Sequence, residues 1–147
     1  MITGLILSKN RASQLRLLLE SIKLNAPNLF SEIKILYTST DDKFDEGYKK
    51  LINEEILNNI VWQRENDFVQ DFLQSLRDCK TEYICGIVDD CVIYKRLAST
   101  PQQIIDSFDE DVFCFSLRLG LNTTMQFYLD PKRKILLEDF QQSGFFI

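Results

Sequence analysis

Two adjacent carboxylates, Asp89 and Asp90, end an unbroken apolar run that extends from Tyr83 to Val88. At the mouth of a buried strand such a pair repels itself and tends to hold a shared proton, unless a cation or hydrogen-bond donors compensate. A hard divalent cation meets that need: magnesium and manganese take oxygen ligands, and one or two carboxylates plus substrate phosphates commonly hold them. Mn2+ or Mg2+ is therefore the expected cofactor. The same two residues can also serve as ordinary turn or capping acids, because aspartate is common where strands end.

Two more polar clusters follow apolar runs, Ser8-Lys9-Asn10-Arg11 after Ile2 to Leu7 and Asp41-Asp42 after Ile33 to Tyr37. In an open parallel α/β sheet, ligands bind outside the carboxyl ends of the strands, so three polar loops on one rim favour a binding site there. For Asp41 and Asp42 a second reading stays open, a solvated turn before a helix N-terminus that favours negative charge.

The elements that would position these loops alternate along the chain. After the first run, Leu15, Leu18, Leu19 and Ile22 recur at helical spacing, with Ser13 as expected cap and Asn25 and Pro27 as stop signals. After the second, Phe44, Tyr48, Leu51 and Ile52 form one stripe of a second helix. Ile60 to Trp62 make a third, short strand, and Asn66 or Asp67 caps a helix whose apolar face is Phe68, Val69, Phe72, Leu73 and Leu76. Tyr83 to Val88, apolar throughout, reads as a central strand covered on both faces. Thr100-Pro101 then opens a short helix through about Ser107; Val112 to Leu117 reads as another buried strand, and Met125 to Tyr128 and Ile135 to Leu137 as shorter ones. Strands alternating with helices imply a parallel, doubly wound sheet. Without an internal linker or repeat, residues 1–147 form a single expected domain.

Composition narrows the partners. The chain is 45% hydrophobic and 27% charged, which suits a globular domain with a sizeable core. A net charge of −5 provides no basic surface for a phosphate backbone, so nucleic acid is not an expected partner. No window approaches the roughly 18 apolar residues of a membrane span, and Met1 to Arg11 lacks the pattern of a signal peptide; a cytoplasmic protein is expected. Cys79, Cys85, Cys91 and Cys114 form no CxxC pair and read as reduced structural thiols, with Cys85 and Cys114 in buried strands. Cys91 is a poor metal candidate, because in extended backbone its side chain points away from that of Asp90. The Asn122-Thr-Thr sequon carries no weight outside a secreted protein.

The segment Tyr83-Ile-Cys-Gly-Ile-Val-Asp-Asp-Cys-Val-Ile-Tyr94 resembles the DxD region of GT-A glycosyltransferases, where a hydrophobic strand ends in an acidic triplet followed by apolar residues. Ile6-Leu-Ser-Lys-Asn-Arg11 with its helix resembles their first nucleotide-contacting loop, and Phe115-Ser-Leu-Arg-Leu-Gly120 a run after the DxD strand of some bacterial and viral members. The resemblance implies a Rossmann-like α/β three-layer sandwich of GT-A type, with a mainly parallel central sheet, that binds a nucleoside-diphosphate sugar, a UDP-sugar by analogy. Carried over by position, it puts the metal ligand on Asp90 and a ribose contact on Asp89; Val88 stands where many members have a first acid. Asp41 or Asp42 would approach the base or ribose, and Ser8 and Arg11 would lie near the nucleotide.

The family adds an acceptor-side general base, and often a metal-binding histidine, from a C-terminal region; this chain has no histidine. The resemblance therefore covers the nucleotide-sugar-binding part of a longer catalytic domain, and the chain is expected to be a truncated piece or an incomplete enzyme. Glu138 and Asp139 lie in the right direction for a base but better suit a solvated acidic turn, and Arg118 suits an internal salt bridge. The leading expectation is metal-dependent transfer of a sugar from a nucleotide-sugar donor to an acceptor hydroxyl. The alternative is a non-catalytic nucleotide-binding or degenerate glycosyltransferase-like module. A receiver-type signalling domain is disfavoured, since its magnesium pocket needs acids after the first strand, where Ser8-Lys9-Asn10 stand.

Overall fold

The computed structural model describes residues 1–108. Its elements run β1 (Ile2–Lys9), α1 (Ala12–Asn25), β2 (Glu32–Thr38), α2 (Asp42–Asn53), β3 (Ile60–Arg64), α3 (Phe68–Arg77), β4 (Tyr83–Val88) and α4 (Pro101–Ile105), all within the compact unit Met1–Ile105. The readings at Val112 to Leu117, Met125 to Tyr128, Ile135 to Leu137, Cys114, Arg118, Glu138 and Asp139 lie outside the described residues.

The four strands are all parallel, in the order β3-β2-β1-β4, so the protein is α/β with the sheet of a Rossmann-like sandwich. The chain steps from β1 to β2 to β3 in one direction and then crosses to the far side of β1 for β4. Strand order therefore reverses between β1 and β4, which makes their carboxyl ends the crevice of the sheet.

Alternation along the strands assigns the helices to faces. Ser8 bonds Tyr48 of α2, whereas Lys34, level with Leu5 on the neighbouring strand, donates from Nζ to the Ser75 carbonyl of α3 at 3.5 Å. Leu5 and Ser8 differ by an odd number of residues, so α2 and α3 lie on opposite faces. Beneath α1 and α2 the core is dense: Leu15, Leu18, Leu19, Ile22, Tyr48 and Leu51 are buried against Ile6, Ile33 and Ile35.

The structure departs from the sequence pattern at several places. Helix α1 starts one residue before Ser13, with Arg11 at the N-cap position and no side-chain cap bond. An arginine side chain carries no acceptor, and this one is turned to acids elsewhere. Strand β4 pairs among the described residues with β1 alone, and Ile84 and Val88 are exposed; the strands flanked on both sides by described strands are β1 and β2. The β4 run is apolar throughout and the β1 run is interrupted by Thr3, so hydrophobicity alone does not identify the flanked strands. On α2, Phe44 is exposed while Asp45 is buried. On α3, Phe68 and Val69 are 48% and 58% exposed, and the buried residue is Ser75. Its hydroxyl lies 3.1 Å from Gln63 Oε1 of β3 and 2.8 Å from the Asp71 carbonyl, so polar contacts fasten this helix. Asp67 does cap α3, through Gln70 N–H, and Thr100 accepts from Gln103 N–H ahead of Pro101. No described helix is long and apolar enough to cross a membrane.

Candidate functional site

At the reversal of strand order, the loops after β1 and β4 meet. The ladder between these strands continues past Val88, with Asp89 N–H donating to the Leu7 carbonyl at 3.2 Å. Leu7 pairs with Val88, so Asp89 stands level with Ser8 and on the same face. Ser8 Oγ donates to Asp89 Oδ2 at 2.8 Å, in a buried setting. The other oxygen, Asp89 Oδ1, faces Nη1 of Arg11 at 3.4 Å, and the same nitrogen reaches Asp90 Oδ2 at 3.2 Å.

The two acids are not equivalent. The Asp89 side chain is 6% exposed and the Asp90 side chain 57%, so one is built into the fold and the other faces solvent. Within the described residues the compensating cation is Arg11, whose guanidinium is shared between them. Of the residues singled out by sequence, Ser8, Arg11, Asp89 and Asp90 are thus brought into one contact network.

Asp41 and Asp42 are not drawn into it by any hydrogen bond or ion pair among the described residues. Asp41 is the N-cap of α2, accepting from Phe44 N–H at 3.1 Å, and Asp42 occupies the first turn, where the helix dipole favours a negative charge. The loop that carries them is nevertheless tied to the β1–α1 loop. Asn10, at φ 60°, receives Thr40 N–H on Oδ1 at 2.9 Å and sends its amide to Thr40 Oγ1 at 3.0 Å. Asparagine tolerates this left-handed backbone better than most residues, which explains its place at the turn.

Tyr48 is the residue that sequence reasoning missed. It reads as core, and its ring is core: it is fully buried and packs 4.7 Å from Tyr37, which in turn meets Trp62 edge-on at 5.9 Å. Its hydroxyl, however, accepts Arg11 N–H at 3.1 Å and lies 2.6 Å from Ser8 Oγ. The single Ser8 proton goes to Asp89, so Tyr48 donates to Ser8. The bonds then run one way, from Arg11 N–H through Tyr48 and Ser8 to the carboxylate, an order in which each bond polarises the next. Burial pushes the Tyr48 hydroxyl above its ordinary pKa, against the pull of its bonds with Ser8 and Arg11, so it is a neutral phenol at neutral pH. The available signal was chemical: a buried tyrosine hydroxyl needs a partner. Close approach of the helices helps to seat it, since a Cβ on Gly47 would come 3.2 Å from that of Ala12.

A second charged group lies at the ends of β2 and β3. Buried Asp45 is bound by Arg64, by Lys49 Nζ at 2.9 Å and by Ser39 Oγ at 3.1 Å. Lys49 foremost, with Ser39 and Arg64, holds the Asp45 carboxyl below the usual carboxylate range.

Among the described residues no group of three or more His, Cys, Asp or Glu is gathered to hold a metal ion by itself. A divalent ion that draws its remaining ligands from phosphates and water needs only one or two carboxylates. The exposed carboxylate of Asp90 fits that partial role; Asp89, with both oxygens engaged, does not offer a free one. Cys91 N–H turns back to the Val88 carbonyl at 3.1 Å, so the backbone leaves the extended path at the two acids themselves and the extended geometry expected for Cys91 does not hold. Comparison with protein-family models, with curated proteins and with solved structures finds no match.

Proposed function

We propose that this rim binds a nucleoside-diphosphate sugar, a UDP-sugar by analogy, and that the chain is the donor-binding part of a glycosyltransferase of GT-A type. The observation that carries the reading is the convergence of Ser8, Arg11, Asp89 and Asp90 at the reversal of strand order, where α/β sheets bind their ligands. Asp90 would hold Mn2+ or Mg2+, which supplies charge neutralisation for a departing diphosphate. Asp89, fixed by Ser8 and Arg11, shapes the floor of the crevice. Arg11 offers a planar fork of N–H donors suited to phosphate oxygens. Asp41 and Asp42, across the Asn10–Thr40 link, stand at the start of α2 and suit contacts to base or ribose. Transfer to an acceptor hydroxyl needs a base within hydrogen-bond reach of that hydroxyl.

A second reading is a module that binds the nucleotide and transfers nothing. The pairing of both acids with Arg11 favours it, since one of the two negative charges is already balanced without a metal. Incubating the protein with a panel of nucleotide-sugars and Mn2+, and measuring release of nucleoside diphosphate, separates the two. Release above the buffer rate that disappears in Asp90→Asn supports the transferase; tight binding of donor without release supports the module.

A further inference from the structure

We propose that Arg11 is a built-in competitor for the metal position: without ligand its guanidinium occupies the acidic pair, and a diphosphate draws it off Asp90, so cation and diphosphate bind together. This rests on the reading of Asp90 as the metal carboxylate. The geometry sets the asymmetry the mechanism needs. One nitrogen, Nη1, serves both acids, at 3.4 Å to Asp89 and 3.2 Å to Asp90. Asp89 is held in place from behind by Ser8, and Tyr48 holds the Arg11 backbone, so the moving parts are the two exposed ends: the guanidinium, 51% exposed, and the Asp90 carboxylate.

A divalent cation and a guanidinium on the same carboxylate repel each other, so a metal arriving alone must first break the Arg11–Asp90 pair. A diphosphate changes the balance. The contacts to the acids use Nη1 alone, and the rest of the fork can meet phosphate oxygens in bidentate, charge-assisted bonds. The diphosphate thus releases Asp90 to the metal and also provides the metal with oxygens. Because coupling is reciprocal, the cation must strengthen diphosphate binding by the same factor.

The test measures Mn2+ affinity of the full chain, by electron paramagnetic resonance of free Mn2+, with and without UDP. The variants are Arg11→Gln, Arg11→Lys and Asp90→Asn. Gln or Lys at position 11 keeps the backbone N–H that Tyr48 accepts, and circular dichroism checks the fold. The expected result is that UDP tightens Mn2+ binding by about tenfold or more in the unmodified protein. In Arg11→Gln, Mn2+ alone binds several-fold tighter than in the unmodified protein, and the UDP effect shrinks. Arg11→Lys, which keeps the charge without the fork, lies between them. If Arg11→Gln and Arg11→Lys both bind Mn2+ alone no tighter than the unmodified protein, while UDP still strengthens binding and Asp90→Asn abolishes it, the competition is wrong and the metal site stands. Absence of Mn2+ binding in every protein, with UDP present, overturns the metal site itself and the competition with it.

Discussion

Ser8 Oγ and Asp89 Oδ2, 81 residues apart in the chain, lie 2.8 Å from each other, and this bond joins the ends of β1 and β4. It fixes Asp89 in the fold, whereas Asp90 is held only by its exposed ion pair with Arg11.

Removing the Ser8 hydroxyl should therefore destabilise the protein. Ser8→Ala leaves Asp89 Oδ2 without its donor and the Tyr48 O–H without its acceptor, a loss of about 1–3 kcal/mol. Tyr48→Phe removes a hydroxyl from the same chain of bonds, so the double variant should lose less than the sum of the two. Urea unfolding of the three proteins checks this, and strict additivity would show that the bonds do not act as a chain.

The two acids should separate in the same assay. Asp89→Asn replaces a buried carboxylate that takes bonds from Ser8 and Arg11, and should cost about 1–3 kcal/mol. Asp90→Asn removes a solvent-exposed ion pair, worth about 0–1 kcal/mol. Equal losses would place both residues in the fold rather than one in the fold and one at the ligand.

Asp45 predicts the acid limb of the stability profile. Its folded-state pKa is depressed, first by Lys49 and then by Ser39 and Arg64, so its contribution is present above the ordinary carboxylate pKa and is lost as pH falls through the folded value. The urea midpoint should hold from neutral pH to about pH 5 and fall below about pH 4. Asp45→Asn should start lower and fall less steeply over that acid range. A parallel fall in both proteins would assign the acid loss to other carboxylates, of which Asp71, depressed by the N–H groups of Asn66 and Asp67, is the next candidate.

Cys85 on β4 should be slow to react. Burial, with a smaller contribution from Cys91, pushes its thiol up to about 11. At pH 8 that leaves roughly one molecule in a thousand as thiolate. Mass-resolved alkylation at pH 8 should modify Cys85 far more slowly than a free cysteine, with a rate that rises about tenfold per pH unit. Rapid labelling would mean that β4 opens readily.

How much of this was legible in sequence depended on whether a signal was local. Ile2 to Leu7, Ile33 to Tyr37 and the Leu15–Leu18–Leu19–Ile22 stripe announce strands and a helix because their neighbours in sequence carry the periodicity. The three polar loops could be placed on one rim for the same reason. The burial of β4 and α3 was read wrongly, because an apolar run states only that a segment can be covered and not that it is. Phe68 and Val69 are apolar and exposed, while Ser75 is polar and buried by its bonds. Tyr48 was hidden inside an apolar stripe, where its ring satisfied the pattern and its hydroxyl gave none. Nor could spacing reveal Arg11 as the cation of Asp89 and Asp90, since that pairing spans 78 and 79 residues and exists only after the sheet has brought β4 beside β1.

The central claim is that Asp90 mediates metal-dependent nucleotide binding, and thermal melts test it most directly. UDP at about a hundred times its dissociation constant, with Mn2+, should stabilise the native protein by about 2.7 kcal/mol, a rise of several degrees in Tm. Chelation should erase the rise, and Asp90→Asn, melting near the unmodified protein when unliganded, should not show it. A folded Asp90→Asn protein that keeps the full Mn2+-dependent shift would contradict the account.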